Sequence, residues 1–286
     1  MNKTMTLTNG QIIPVLGYGT WRNNDPKECV NGVKWALEQG YRHIDTAQMY
    51  GNETEVGEGM RLSGVPREEI FLTTKLNNDN HGYENAKRTI DESLERLGTD
   101  YLDLFLIHWP EVEGHEDDWE TDNIETWRAL EEAYEAGKLK AIGVSNFKVK
   151  HLENLLPNCH ITPMVNQIRV HPGIHQAETV KMSREAGMII EAWSPLSPIP
   201  QMLEDEAVVA MTEKYHKTVA QLLLRYCVQK DYVPLTKSVH EARIIENAAI
   251  FNFQIDEEDM AYFDQWEWDG ELFNKYQIKP RDETTN

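Results

Sequence analysis

The chain has 286 residues, of which 40% are hydrophobic, and its 48 acidic and 28 basic residues give a formal net charge of −20. This size and apolar content suit a folded globular protein, and the acidic excess argues against sequence-independent binding of nucleic acid, which needs clustered Lys and Arg. The three cysteines form no CxxC pair, which argues against a disulfide framework and a thiolate metal site. The chain has no apolar run of about 18 residues and no apolar stretch of secretory length near its start, which argues against a membrane span and a signal peptide. We therefore expect a cytoplasmic protein.

The first elements in the chain predict a β-hairpin. Alternating residues in MTLT (5–8) and QIIPVL (11–16) flank the pair Asn9 and Gly10. An Asn-Gly pair readily supplies the two positive φ angles of a type I′ turn, which is the turn that joins two tight antiparallel strands.

The rest of the chain alternates between strand-like and helix-like segments. Apolar positions spaced as on one helix face run from Glu84 to Leu97, where Gly98 ends the pattern, and again in TWRALEEAYEAGK (126–138), which ends at Gly137. Eight short apolar runs predict strands: VLGYGTW (15–21), YRHIDTA (41–47), IFLTTKL (70–76), YLDLFLIHW (101–109), KAIGVSN (140–146), PMVNQIRV (163–170), MIIEAWSPL (188–196) and YVPLTKS (232–238).

This rhythm predicts an α/β fold, a single (β/α)₈ TIM barrel that spans residues 1–286 as one domain, with the hairpin capping the barrel bottom. The runs are too apolar for strands with one wet face, as expected for parallel strands that helices cover. An open, doubly wound sheet is the alternative fold.

Two stretches carry no clear pattern. Residues 110–123 are acidic and follow the strand that carries His108, so we assign them, with Trp119, to a loop at the substrate mouth. Residues 266–286 mix charge with aromatic side chains, and we expect this tail to fold back over the same opening; a loosely ordered terminus is the alternative. Its aromatic residues are Trp266, Trp268, Phe273 and Tyr276.

Four polar residues stand where predicted strands stop. Asp45, Lys75 and His108 end three separate runs, and Tyr50 follows Asp45 by five positions. In a barrel the carboxyl ends of all strands face one rim, so these side chains should converge. The Lys75 ammonium would stabilise the Tyr50 phenolate and lower its pKa, Asp45 would pair with Lys75, and His108 would orient a carbonyl oxygen. This set predicts proton transfer to a carbonyl group.

Eight motifs follow one another along the chain: GYGTW (17–21), HIDTAQMYGNE (43–53), TTKL (73–76), HWP (108–110), AIGVSNF (141–147), NQIRVHP (166–172), AWSPL (192–196) and KSVHEARIIEN (237–247). By these motifs the chain resembles the aldo-keto reductase superfamily over residues 7 to about 252, and the short bacterial members such as 2,5-diketo-D-gluconate reductase-like enzymes in particular. The resemblance implies that Asp45, Tyr50, Lys75 and His108 form the catalytic tetrad, with Tyr50 as the acid.

Carbonyl reduction also needs a hydride, which no side chain can donate, so a cofactor is required. The GxG at Gly17 to Gly19 lacks the third glycine of a dinucleotide fingerprint, which argues against a Rossmann site. Two cations and a hydroxyl at Lys237, Ser238 and Arg243 instead suit a phosphate monoester at a helix start. An exposed basic helix start without a ligand is the alternative interpretation.

The resemblance implies NADP(H) as the cofactor and assigns its contacts. It places the nicotinamide amide against Ser145, Asn146 and Gln167, and the nicotinamide ring on Trp193. It places the 2′-phosphate on Lys237, Ser238 and Arg243. The adenine lies near Glu246 and Asn247 in this assignment. The resemblance adds further cofactor contacts at Gly19, Thr20, Trp21, Ser194, Leu196 and Val239. Two departures from the family are Ser197 to Pro200, a stiff stretch where members often have glycine, and Thr236, where members commonly have proline.

The sequence therefore predicts an NADPH-dependent aldehyde or ketone reductase that acts on a small carbonyl compound, as a monomer, with no membrane, nucleic acid or metal partner. Trp21, Tyr50, His108 and Trp109 are predicted to contact the substrate, with Trp193 beside them. Two alternatives stay open: a non-catalytic NADPH-sensing regulatory subunit, and a cofactor-free barrel isomerase or hydrolase.

Overall fold

The structure, a computed structural model, describes residues 3–112 and 118–268. Strands β1 (Thr4–Thr6) and β2 (Ile12–Pro14) form an antiparallel pair, and eight further strands form a closed parallel barrel. Each barrel strand pairs with the next one along the chain, and the last closes on the first, which confirms the predicted barrel and rules out the open sheet. The barrel strands are β3 (Gly17–Gly19), β4 (His43–Asp45), β5 (Phe71–Leu76), β6 (Leu104–Ile107), β7 (Ile142–Ser145), β8 (Val165–Ile168), β9 (Ile189–Ala192) and β10 (Tyr232–Thr236).

Helices cover the outside of the barrel. Among the described residues none is long and apolar enough to cross a membrane. They are α1 (Pro26–Glu38), α2 (Glu53–Ser63), α3 (Tyr83–Leu97), α4 (Trp119–Glu135), α5 (Val149–Leu155), α6 (Ala177–Glu185), α7 (Ile199–Met202), α8 (Glu206–Tyr215), α9 (Val219–Gln229), α10 (Glu241–Ala248) and α11 (Glu257–Gln265).

Helix α3 shows why the periodicity identified it. Ala86, Ile90, Leu94 and Leu97 form the buried face that the sequence pattern predicts, and each buried large aliphatic side chain contributes about 1.5–3 kcal/mol to stability. Gly98 ends the helix with φ 65°, a left-handed conformation that glycine adopts without steric cost.

The hairpin turn differs from the predicted type I′. The Gly10 amide donates to the Leu7 carbonyl at 2.9 Å, and of the Asn9-Gly10 pair only Gly10 has a positive φ, of 87°. The loop is therefore the longer form in which a left-handed glycine follows the turn. The Asn9 side chain explains the difference, because it accepts from the Gln11 amide at 3.0 Å and donates to the Lys140 carbonyl at 2.8 Å.

The hairpin closes the amino-terminal end of the barrel, as predicted. Leu7 and Ile13 are buried in one apolar cluster with Phe71 and Leu104, which begin β5 and β6, and with Val233 of β10. This end of the barrel is thus a packed core. The opposite rim, at the carboxyl ends of the strands, is where loops can form a site.

Helix occurs in two stretches where the sequence analysis did not predict it. Helix α4 begins at Trp119, so the loop is shorter than the predicted 110–123. The first turn of α4 carries Glu120 and Asp122, whose charges suit a helix amino terminus. These acidic residues add no apolar periodicity, so the sequence pattern did not identify the start of the helix. Helix α7 begins at Ile199 with Pro200 in its first turn, where proline is tolerated. Residues 113–117 of the loop and 269–286 of the tail, including Phe273 and Tyr276, lie outside the described residues.

Candidate active site

A buried ion pair links strands β4 and β5 at the carboxyl rim. The Lys75 Nζ lies 2.7 Å from Asp45 Oδ1 and donates to the Thr46 carbonyl at 2.8 Å. Its third neighbour is the Tyr50 hydroxyl, at 3.4 Å. Because Lys75 is fully buried, its charge needs this carboxylate; removing one partner of a buried pair typically costs about 3–5 kcal/mol.

The Tyr50 ring is carried by a short 3₁₀ turn, Gln48–Tyr50, that the Gln48 side chain anchors to its surroundings. Gln48 donates to the Thr89 carbonyl at 3.0 Å and accepts from the Asn77 amide at 2.8 Å, so it joins the turn to α3 and to the end of β5. Gly51 follows with φ 66° and lets the chain turn away into α2. The phenol is thereby held at the rim beside Lys75.

His108 completes the predicted group from the end of β6. Its ring lies 5.7 Å from that of Tyr50, edge to face, and the rings of His108 and Trp109 are 6.5 Å apart. The His108 carbonyl accepts from Asn146 Nδ2 at 2.9 Å, which ties this position to the end of β7. The structure therefore brings together all four residues that the sequence singled out.

The electrostatics favour a protonated phenol and a charged amine. Burial raises the pKa of Tyr50 above its ordinary value, and the Lys75 ammonium opposes that rise without cancelling it, so the net direction is opposite to the predicted lowering. For Lys75, burial lowers the pKa, but Asp45 and Tyr50 together raise it, and the net direction is upward. Tyr50 is thus protonated at neutral pH.

The residues predicted to hold the nicotinamide also lie together. Trp193 Nε1 donates to Asn146 Oδ1 at 2.8 Å, and Asn146 Nδ2 donates to Ser145 Oγ at 3.1 Å. Ser145 Oγ donates in turn to the Gln167 carbonyl at 2.9 Å. Asn146 has φ 62°, a left-handed conformation that asparagine tolerates better than most residues. One hydrogen-bonded set therefore spans the ends of β7, β8 and β9.

Gln167 leads to two residues that the sequence reasoning missed. Its Nε2 donates to Asp45 Oδ2 at 2.9 Å and to Glu191 Oε2 at 2.7 Å. The other oxygen of Glu191 lies 3.5 Å from His43 Nε2. Burial raises the pKa of Glu191 to about 8 and lowers that of His43 to about 4, so both are neutral near pH 7. An acid inside the apolar run MIIEAW was a signal that could have identified Glu191.

The predicted phosphate contacts lie past β10 and at the start of α10. Lys237 and Arg243 are exposed, whereas Ser238 is buried and its Oγ accepts from the His240 amide at 3.0 Å. Burial on one side lowers the pKa of Lys237, and Arg22 acts in the same direction. Arg22 is therefore a further cation at this end, and nothing in the sequence pattern singled it out.

The two predicted adenine contacts already bind protein groups. Asn247 Nδ2 donates to Thr236 Oγ1 at 2.7 Å, and the Glu246 carboxylate accepts from Thr218 Oγ1 at 2.8 Å. Thr236, the departure from the family pattern, thus gives Asn247 a partner that a proline could not. The other predicted cofactor residues lie at the same rim: Gly19 and Thr20 at the end of β3, Ser194 and Leu196 after β9, and Val239 after β10.

Aromatic side chains line different parts of the rim. Trp21 is 42% exposed, with the Arg22 guanidinium 4.5 Å above its ring. Trp119 departs from its predicted place on a loop: it begins α4 and packs edge-on against His151 of α5, at 4.9 Å between ring centres. The prediction failed because His151 offers a buried partner that lies 32 positions away in sequence.

The described start of the tail reaches the nicotinamide residues. The Arg169 guanidinium lies 4.3 Å from the Trp268 ring centre and 5.6 Å from that of Trp193. Gly173 has φ 89°, and a side chain there would collide with the Trp268 backbone. Residues 266–268 therefore dock beside the predicted nicotinamide site, and Arg169 is another residue that sequence reasoning missed.

The chain is similar to known proteins over most of its length. The sequence profile of the Aldo/keto reductase family matches residues 15–267. The chain is 46% identical over 264 residues to a glyoxal reductase from Bacillus subtilis (strain 168), covering 92% of each chain. It is also similar to a crystal structure of an aldo/keto reductase from Brucella melitensis, with 42% identity, a TM-score of 0.87 and coverage of 92% of this chain and 97% of that one.

A third relative has been solved with a dinucleotide. The aldo-keto reductase of Bombyx mori in complex with NADP is 34% identical, with a TM-score of 0.87 and coverage of 95% of this chain and 96% of that one. A match of the family profile to most of the chain, together with relatives of this identity and coverage, leaves one conclusion: this chain belongs to the aldo/keto reductase family.

Proposed function

We propose that this protein is an NADPH-dependent reductase of small aldehydes and ketones, with Tyr50 as the proton donor. One observation carries the proposal: the Tyr50 hydroxyl lies 3.4 Å from the buried Lys75 Nζ. The charge of this ammonium is paired with the Asp45 carboxylate, whose Oδ1 lies 2.7 Å from Lys75 Nζ. Membership of the reductase family supports the reaction class, and the glyoxal reductase relative favours small aldehydes and dicarbonyls as first substrates to test.

The residues at the rim fit the proposed cofactor. Ser145, Asn146 and Gln167 offer amide and hydroxyl groups that match a carboxamide, and the Trp193 indole is held beside them by its bond to Asn146. The exposed Lys237 and Arg243 suit a phosphate. NADPH, when bound, supplies the hydride.

Proton transfer follows from the charges around Tyr50. Burial keeps the phenol protonated, so it can donate to a carbonyl oxygen, and the phenolate that remains lies next to a fixed cation. Two opposite charges about 4 Å apart attract by about 4 kcal/mol at an effective dielectric constant of about 20. Asp45 keeps Lys75 charged and in place. His108, beside Tyr50, would donate a hydrogen bond that orients the substrate oxygen.

The central experiment compares wild type with Tyr50→Phe. We expect NADPH consumption with a panel of aldehydes, ketones and dicarbonyls to fall by at least about a thousandfold, because the variant retains the ring and loses the proton. NADPH binding, followed by fluorescence quenching, should stay within about twofold. Tyr83→Phe, which removes an exposed hydroxyl that binds Glu132, is the matched control and should behave as wild type.

The outcome separates the alternatives. Wild-type turnover by Tyr50→Phe would refute the assignment of the acid. Binding of NADPH without turnover of any carbonyl compound would favour a sensing subunit, and no NADPH binding at all would favour a cofactor-free enzyme.

The preference for NADPH over NADH depends on the predicted phosphate contacts. Arg243→Ala should weaken NADPH binding about tenfold and NADH binding much less, because only NADPH carries the 2′-phosphate. Arg128→Ala, on the exposed face of α4, is the control. Equal losses for both cofactors would refute the assignment of Arg243.

Two further predictions remain: the chain forms one domain, and the protein is a monomer.

A further inference from the structure

The interior of the barrel beneath Lys75 holds a continuous series of polar side chains. Gln167 Nε2 donates to Asp45 Oδ2 at 2.9 Å and to Glu191 Oε2 at 2.7 Å, and Glu191 Oε1 lies 3.5 Å from His43 Nε2. We name these four residues the inner polar chain. None is more than 3% exposed. The inner polar chain therefore starts at the catalytic ion pair and runs into the core.

Glu191, like His43, is a member of the inner polar chain that the proposed reaction does not use. It interrupts the apolar strand β9, is fully buried, and faces Gln167 of β8 across the strand pair. A buried carboxyl group is costly unless it is neutral or well bonded. Burial raises the pKa of Glu191 to about 8 and Asp45 adds to that rise, so the group is a neutral acid near pH 7. A role for Glu191 in the site would therefore lie in the neighbours that it contacts, Gln167 and His43.

The bonds that Gln167 makes to Asp45 and Glu191 together set the orientation of its amide. An amide nitrogen carries two hydrogens, and the amide oxygen carries none. The side-chain nitrogen of Gln167 has two acceptors, Asp45 Oδ2 and Glu191 Oε2, and both hydrogens are donated to them. Turning the amide over would place its oxygen against the Asp45 carboxylate oxygen. Only Oε1 of Gln167 therefore remains for a ligand, and that ligand must donate.

We propose that Glu191 is a positioning residue that fixes the Gln167 amide and, through it, Asp45, so that the rim offers an acceptor to the NH₂ of a carboxamide. This role rests on the proposed function, because the carboxamide in question is that of the nicotinamide. It also explains why Asp45 keeps one oxygen for Lys75: the other oxygen is occupied by Gln167.

The test compares three variants at two neighbouring barrel positions. Glu191→Leu removes the acceptor and keeps a similar volume, whereas Glu191→Gln keeps an oxygen that Gln167 can reach. Val233→Ala is the control for loss of packing, since Val233 pairs with Glu191 in the strand register, is fully buried, and belongs to the apolar cluster at the amino-terminal end of the barrel. The dissociation constant of NADPH is measured by fluorescence quenching, and kcat by NADPH consumption.

We expect Glu191→Leu to weaken NADPH binding about tenfold and to lower kcat, the loss that a misplaced hydrogen bond produces. Glu191→Gln should restore both values to within about twofold, and Val233→Ala should leave them unchanged. In a Gln167→Leu background, Glu191→Leu should add no further loss of binding, since its route to the cofactor is gone. Glu191→Ala repeats the test if Glu191→Leu does not fold.

Three results would overturn the proposal: wild-type binding by Glu191→Leu, a loss in Glu191→Gln as large as in Glu191→Leu, or an undiminished loss in the Gln167→Leu background. Failure of the proposed function looks different, because wild type itself would then neither bind NADPH nor consume it with a carbonyl compound.

Discussion

Replacing Glu191 with glutamine should make the stability of the protein less dependent on pH between 4.5 and about 8. Burial raises the pKa of this carboxyl from its ordinary 4.5 to about 8 in the folded protein. The folded state therefore holds a proton that the unfolded state loses as pH rises past 4.5, and stability falls between the two values. Each pH unit in this window costs about 1.4 kcal/mol of unfolding free energy. From about pH 6 to about pH 8 the loss is roughly 2 kcal/mol, since the carboxyl is half ionised at the end.

Urea unfolding at about pH 6, 7 and 8 measures this loss of stability as the difference in unfolding free energy between wild type and Glu191→Gln. The groups that face Glu191 are His43 and Asp45 from β4 and Lys75 from β5, while β8 and β10 present Gln167 and Val233, which do not titrate. Because the pKa of His43 is about 4, that ring stays neutral throughout. A difference in unfolding free energy that stays constant over the three pH values would refute a buried, neutral Glu191.

Three further predictions address other parts of the site. His43→Asn should reduce the loss of stability on acidification by roughly 3 kcal/mol. Burial lowers the pKa of His43 from 6.5 to about 4, so stability is lost as the pH falls between these two values. The midpoint of urea unfolding, followed against pH, measures this loss. Asp205→Ala should destabilise the fold by about 1–3 kcal/mol and alter tryptophan fluorescence, since Asp205 caps α8 and binds Trp266 Nε1 at 2.8 Å. Gln48→Ala should lower kcat about tenfold with NADPH binding unchanged, because Gln48 fixes the turn that carries Tyr50; unchanged kcat would contradict that role.

The barrel could be predicted from sequence because its local patterns agree with its packing. All eight apolar runs became strands, since each is buried on both faces and needs no polar alternation. The errors occurred where tertiary contacts decide local geometry. The Asn9 side chain changed the hairpin turn by bonding Lys140, and the first polar turn of α4 gave no periodic signal.

The convergence of the proposed catalytic residues could be predicted because of where they stand in the sequence. Asp45, Lys75 and His108 each end an apolar run, and barrel topology brings such ends to one rim. The pKa of Tyr50 could not be predicted in the same way. Its direction depends on how far burial outweighs the Lys75 ammonium, and burial is a property of the folded environment and not of the motif.

Two members of the inner polar chain, His43 and Glu191, were missed for a different physical reason. His43 stands two positions before Asp45, and strand side chains alternate, so both must point to the same side of β4. Glu191 breaks an otherwise apolar strand that sequence reasoning expected to be buried. A polar residue in such a strand is stable only if another strand supplies its partner. Here Gln167 supplies it, so a buried acid on one strand and an alternating polar pair on another together indicate a polar barrel interior beneath the catalytic rim.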